Sequence, residues 1–247
     1  MEAAEYVRMH QMELVHAWFL GRRELLLRAA RAYAPRASGA LRVLDLGCGT
    51  GANTLAYRQL GTVVGIEPNP EALAFALKAG CSALCRGGGT ELPVRDACMD
   101  IVLASDVLEH IDDDAAVARE IRRALRPGGV FVCTVPAHPW LFGPHDRALH
   151  HHRRYTRRSL RGVLERAGLK VEWLTSWNST LFPAVCLQRW WQRVSGDGDG
   201  IGSSAMELPG PVGNAALTRL LGAEGRLALT TGLPWGLTYL AVALRPS

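Results

Sequence analysis

Val43-Leu44-Asp45-Leu46-Gly47-Cys48-Gly49-Thr50-Gly51 decides the fold. An apolar run holding one acid passes into three glycines at alternate positions, which predicts a buried strand turning tightly into a helix. Glycines there let the backbone turn sharply and approach a ligand at van der Waals distance. The same rhythm continues downstream. Short apolar runs over 41–46, 62–66, 82–85, 99–105 and 129–135 alternate with helix-like stretches over 52–60, 70–79 and 114–125, the signature of βαβ units and a parallel sheet. Asp112-Asp113-Asp114 opens the last of these helices, and Arg126-Pro127-Gly128-Gly129 closes it. A helix over 156–167, a strand over 170–176, a helix over 181–194, a flexible glycine-rich linker over 196–204, a helix over 213–230 and a strand over 237–244 follow. Upstream, Tyr6, Met9, Leu14, Trp18, Leu25 and Leu26 recur at helical spacing, which predicts one helix over 5–33 with a kink at Gly21.

The 247 residues, 48% of them apolar, suffice for one sizeable core. The net charge of +5 is local, because residues 145–166 hold seven Arg against Asp146 and Glu165. That argues against a diffuse nucleic-acid-binding surface. Six cysteines without a CxxC pair suggest neither a disulfide framework nor a zinc ribbon, and the N-terminal stretch has no secretory apolar core, so the expected location is the reducing cytoplasm. Gly232, Pro234 and Gly236 interrupt the uncharged run 227–244, which reads as a helix end, a turn and a buried strand rather than a membrane span.

Gly47, Gly49 and Ala52 also satisfy the dinucleotide pattern, with Glu67 where a ribose-binding acid is expected. Asp45 separates the ligands. A carboxylate two residues before the first glycine would repel a pyrophosphate and suits a cation, and S-adenosylmethionine brings an ammonium and a sulfonium without a phosphate.

The segment VLDLGCGTG resembles motif I of class I S-adenosylmethionine-dependent methyltransferases, and later landmarks follow in that family's order. Glu67 matches the acid that pairs both ribose hydroxyls, residues 87–111 resemble the third loop and fourth strand, and residues 125–136 resemble the fifth strand. The resemblance implies a Rossmann-like seven-stranded α/β sheet with helices on both faces and an antiparallel last strand. Its parts would be an N-terminal helical cover (1–39), a cofactor-binding core (40–177), a helical insertion (178–235) and a final core strand (236–247). It implies cofactor binding by Asp45, Gly47, Gly49, Gly51, Glu67 and Pro68, with Ser105 and Asp106 at the methionine end. Relatives usually read adenine with an Asp where this chain has Gly88, so that task is expected of Thr90, Glu91, Leu92 and the backbone around them.

The outer parts resemble a narrower bacterial group, through His16-Ala17-Trp18-Phe19-Leu20-Gly21-Arg22-Arg23 and through a loop from Trp140 to Tyr155. Both segments are expected over the site. Trp18, Phe19, Trp140 and Phe142 are candidate walls for a methyl acceptor, and Arg154 and Tyr155 candidates for its polar end, although a structural carboxylate is a comparable partner for the arginines. His110, beside Asp106 and Glu109, and His145, beside Asp146, are candidate proton acceptors. Adjacent His150, His151 and His152 cannot all face one ion from a regular element, so no metal is expected. Arg157, Arg158, Arg161 and Arg166 read as a solvated helix face. The expected activity is methyl transfer to an oxygen or nitrogen of a small metabolite or natural product. The alternatives are a membrane-surface enzyme acting on a lipid-linked or peptide acceptor, suggested by Trp190 and Trp191, and a cofactor-binding fold-mate without methyl transfer.

Overall fold

The computed structural model describes residues 3–36, 39–195 and 210–247. The expected linker over 196–204 lies outside the described residues. Helices α1 (Ala3–Val15) and α2 (Ala17–Tyr33) precede β1 (Leu41–Leu46), α3 (Ala52–Tyr57), β2 (Gly61–Glu67), α4 (Pro70–Lys78), β3 (Leu84–Arg86) and β4 (Met99–Ser105). A short 3₁₀ turn (Leu108–His110) leads to α5 (Asp114–Ala124), β5 (Leu125–Pro136), α6 (Pro144–Ala148), α7 (Arg157–Arg166), β6 (Lys170–Trp177), α8 (Phe182–Ser195), α9 (Pro211–Thr230) and β7 (Thr238–Leu244). The strands form one seven-stranded sheet in the order β3-β2-β1-β4-β5-β7-β6, with β7 antiparallel to both neighbours. This is the architecture the resemblance implied.

Successive strand residues face opposite sides. Val43, Ile101, Leu103, Val130, Val132, Leu240 and Val242 pack on one face, and Leu44, Val102, Ala104, Phe131, Cys133, Ala241 and Ala243 on the other. Both faces are covered, which is why these strands read as continuous apolar runs. The second face is covered mainly by α5 and α7, through Val117, Ile121, Leu160 and Leu164.

The first face is covered by α2 and α9, so the expected N-terminal cover and helical insertion together supply a layer of the sheet. Leu25, Leu26 and Leu221 are all but inaccessible, and burying each such side chain contributes about 1.5–3 kcal/mol. Gly21 sits where the two helices meet: a Cβ there would lie 3.0 Å from both Leu221 Cβ and Trp177 Cζ2.

The helix expected over 5–33 breaks at His16 rather than at Gly21. The His16 backbone is extended and its Nδ1 accepts from the Trp18 amide at 3.1 Å, a side-chain cap that starts a new helix. Asn214 of α9 clamps the break, its Oδ1 accepting from the Ala17 amide (2.9 Å) and its Nδ2 donating to the Val15 carbonyl (2.7 Å). β5 begins four residues earlier than expected, because Leu125 pairs with Met99 and an irregularity before Ile101 absorbs the extra residues. Helix α6 was not anticipated. Arg157 departs from the expected solvated face: it donates to the carbonyls of Leu174 and Leu233 and to Ser176 Oγ, fastening α7 to β6 and to the turn before β7. Arg158, Arg161 and Arg166 are exposed as expected. Among the described residues no helix is long and apolar enough to cross a membrane, and all six cysteines are free.

Asn214→Ala removes both bonds of the clamp and should lower stability by about 1–2 kcal/mol. Urea denaturation of the variant checks this, and an unchanged midpoint would mean that the layer holds its geometry without the clamp.

Candidate cofactor and acceptor site

The glycine loop leaves β1 at the carboxyl edge of the sheet, where ligands of open α/β folds lie. Its first amides continue the ladder, Gly47 and Cys48 both donating to the Ile66 carbonyl (2.8 and 3.0 Å). Gly47 (φ 69°) and Gly49 (φ 51°) take left-handed backbone angles that side chains rarely adopt. A Cβ at Gly47 would strike Val107 at 2.7 Å, whereas one at Gly49 would meet nothing within 4 Å. The loop is therefore packed from below and open above.

Glu67 ends β2 beside this opening. Its Oε2 accepts from the Gly49 amide and its Oε1 from the Asn69 amide, each at 3.1 Å, so each oxygen keeps a lone pair for a further donor. Asp45 lies beneath the loop, 1% exposed, with Oδ2 accepting from Thr54 Oγ1 at 2.6 Å. Burial, reinforced by Glu13 and Glu67 and opposed by the Thr54 bond, pushes its carboxyl up to about 7. Helix α1, missed as a neighbour of the loop, reaches it through His10, 3.0 Å from Thr50 Oγ1, and Glu13, which accepts from the same hydroxyl.

The expected adenine subsite is only partly available. Gly88 and Glu91 bridge a tight turn, Thr90 and Glu91 are exposed, and a Cβ on Gly88 would meet nothing within 4 Å. Leu92 departs from the expectation, because its amide donates to Glu120 (2.8 Å) and its carbonyl accepts from Arg123 (2.9 Å), so its backbone is already engaged. Pro68 is exposed, and its carbonyl accepts from Arg86 at 3.3 Å.

At the end of β4, Ser105 Oγ is buried without a hydrogen-bond partner. Asp106 takes a left-handed angle (φ 53°), accepts from Thr134 Oγ1 at 2.7 Å and pairs with Arg22. Arg22 lies 4.0 Å from the centre of the Trp18 ring, and Trp18 packs edge-on against Phe19, so the motif on α2 is built around an ion pair that was not anticipated. Trp140 and Phe182 form another aromatic group with His138, and Phe142 is half-buried.

Arg154 and Tyr155 find structural carboxylates rather than the open site. Arg154 Nε donates to Asp146 (2.7 Å), and the Tyr155 hydroxyl, 2% exposed, donates to Asp114 (2.8 Å). Asp146 also accepts from the Gly143 amide (2.9 Å) and lies 3.0 Å from His151 Nδ1. Burial opposes ionisation there, yet the bonds from His151 and Arg154 hold its carboxyl at about 2. Burial holds both His110 and His145 below the ordinary histidine range, with the His151 imidazole opposing charge on His110 as well. The His110 and His151 rings meet edge to face at 4.6 Å. Glu109 completes the cluster: it is fully buried, neither carboxylate oxygen has a hydrogen-bond partner, and burial together with the Asp106 charge pushes its carboxyl well above the usual range.

Comparison with known proteins agrees with this geometry. Residues 44–133 match the family described as Methyltransferase domain. An uncharacterized methyltransferase of Mycolicibacterium gilvum (strain PYR-GCK) is 37% identical over 131 residues, covering 48% of this chain and 51% of that protein. The chain thus matches about half the length of such curated relatives. Among solved structures, a Haloferax volcanii putative methyltransferase, determined in complex with the Trm112 methyltransferase activator, has a TM-score of 0.63 at 24% identity, over 99% of this chain and 95% of that one. A Haemonchus contortus phosphoethanolamine N-methyltransferase 2, solved with S-adenosyl-L-methionine, has a TM-score of 0.58 at 17% identity, over 90% of this chain and 52% of that one. The fold is the Rossmann-like fold of these solved methyltransferases, and residues 44–133 match a methyltransferase domain; the ligand of the Haemonchus contortus structure is S-adenosyl-L-methionine.

The residues present fit that group. The open face over Gly49, the spare lone pairs of Glu67, the unpartnered Ser105 hydroxyl and a buried acid under the loop correspond to a nucleoside carrying a cationic tail.

The raised pKa of Asp45 has a testable consequence without cofactor. The stability that comes from Asp45 staying protonated in the fold is full below about pH 4 and is lost as pH rises through about 7. Asp45→Asn escapes that loss. Its stability relative to wild type should rise by about 2–3 kcal/mol between pH 5 and pH 8 in urea denaturation. A difference independent of pH would mean that Asp45 ionises normally.

Proposed function

We propose that the chain is an S-adenosylmethionine-dependent methyltransferase acting on an oxygen or nitrogen of a small molecule. The observation that carries this reading is the arrangement of Asp45, the open glycine loop and Glu67 at one edge of the sheet. Glu67 would pair the ribose hydroxyls, Gly47 and Gly49 would let the ligand lie against the backbone, and Asp45 would face the ammonium end, with Ser105 and Asp106 nearby. Bound there, the cofactor supplies a methyl group on a sulfonium and with it a ready leaving group, so the protein's main task is alignment. Trp18 and Phe19, fixed by Arg22 beside Asp106, are the apolar walls the reading assigns to the acceptor, with Trp140 and Phe142 on the loop after β5. Arg154 and Tyr155 hold that loop through Asp146 and Asp114 rather than binding the acceptor.

Glu67→Ala should weaken S-adenosylhomocysteine binding at least tenfold in calorimetry, about 1.4 kcal/mol, with the fold retained by circular dichroism. Wild-type protein that binds neither S-adenosylmethionine nor its demethylated product, or prefers NAD, would overturn the assignment.

One observation favours a second reading, in which the acceptor is reached at a lipid surface: Leu187, Trp190 and Trp191 of α8 are all exposed. Under that reading the protein floats with vesicles of anionic phospholipid and Trp190→Ala sinks with the unbound fraction; wild-type protein left in the pellet retains the soluble acceptor.

A further inference from the structure

We propose that Glu109, His110 and His151 form a binding site for a divalent transition-metal ion at the acceptor end of the cleft. The ligand atoms these three side chains offer all lie within 4.8 Å of one another. Donors sharing one ion at about 2.1 Å stand roughly 3–4.2 Å apart, so a side-chain rotation of under about an ångström closes the set. One carboxylate and two imidazoles make a donor set suited to zinc, iron, cobalt or manganese, and three protein ligands leave further positions open.

Two independent observations point to a ligand. Glu109 is a fully buried carboxylate with no hydrogen-bond partner for either oxygen. His151 is presented as metal-binding histidines commonly are: its Nδ1 lies 3.0 Å from Asp146, which leaves Nε2 as the free donor. Asp146 is in turn fixed by Arg154 and by the Gly143 amide, making it a positioning residue for His151. The His152 amide donates to the Glu109 carbonyl at 2.7 Å, so the backbone holds the two halves of the site together. His110 is exposed, which gives an ion there a side open to water or to an oxygen of the acceptor. This assigns His110 a ligand's role in place of the proton acceptor suggested by sequence. It also meets the objection from adjacent histidines, since only His151 of the run takes part.

Placing the ion at the acceptor end rests on the methyltransferase reading, whereas its binding does not. The test therefore uses untagged protein freed of metal with a chelator and titrated with Co²⁺ alone, read by visible absorption and calorimetry. One equivalent should bind with ligand-field bands, and Zn²⁺ should displace it. Glu109→Gln and His151→Asn should each weaken Co²⁺ at least a hundredfold, Asp146→Asn about tenfold or more. Thermal melting and S-adenosylhomocysteine binding of each variant identify those that still fold. The double variant His150→Asn, His152→Gln should bind Co²⁺ as wild type does. Wild-type protein with no bands and no stoichiometric binding overturns the site whatever the variants do. So does undiminished binding by folded Glu109→Gln and His151→Asn, or loss of binding in the double variant. Failure of S-adenosylhomocysteine binding with Co²⁺ intact would count against the methyltransferase reading alone.

Discussion

The ion pair between Arg22 and Asp106 joins the helical layer to the end of β4, and the geometry of the cleft depends on it. Asp106 occupies a left-handed conformation from which the chain turns into Leu108–His110. A non-glycine residue holds that conformation only where its surroundings over-determine it. Arg22 and Thr134 do so from two sides, the first from α2 and the second from β5. Removing one partner of a pair so largely shielded from water leaves the other charge uncompensated. Trp18 then stacks on the same guanidinium, so the aromatic wall and the turn that carries Glu109 and His110 are fixed by one group.

Several other buried acids are likewise met by donors. Asp146 has Arg154, His151 and an amide; Glu224 accepts from the Ser179 and Thr180 amides and the Thr180 hydroxyl; Asp114 takes the Tyr155 hydroxyl and pairs with Arg153. Asp45 and Glu109 depart from the pattern. Asp45 has a single neutral donor and Glu109 has none, and burial raises both carboxyls. Groups held away from their ordinary protonation inside a cleft mark places where an external charge has something to gain.

What the sequence disclosed and what it withheld divide by range along the chain. The glycine loop, Asp45 and Glu67 are set by local geometry on consecutive sheet elements, so a short stretch of sequence was enough to expect them beside one another. The strand runs were legible because both faces are buried. By contrast His16 ends a helix only because its own imidazole caps the next one and Asn214, far along the chain, holds the junction. For Arg154 and Tyr155 the sequence leaves ligand and structural carboxylate open, because aromatic and basic residues in a loop suit both recognition and anchoring and their carboxylate partners lie elsewhere in the sequence. His151 looked like one of three interchangeable neighbours until Asp146 selected it.

The order of strands also governs how the chain is assembled as it is made. β7, the last strand, is inserted between β5 and β6, and α9 packs against α2 from the other end of the sequence. Until residues 211–244 have emerged from the ribosome, β6 has no neighbour to pair with, and Leu25, Leu26 and Trp177 lack part of their covering. These are contacts of high sequence separation, whose closure comes late and slowly. A nascent chain that has emerged through α8 but not beyond it therefore presents an open strand edge and an apolar layer at once, the combination that invites pairing with another chain. Emergence of residues 211–244 is thus the step at which both the strand edge and the apolar layer are covered.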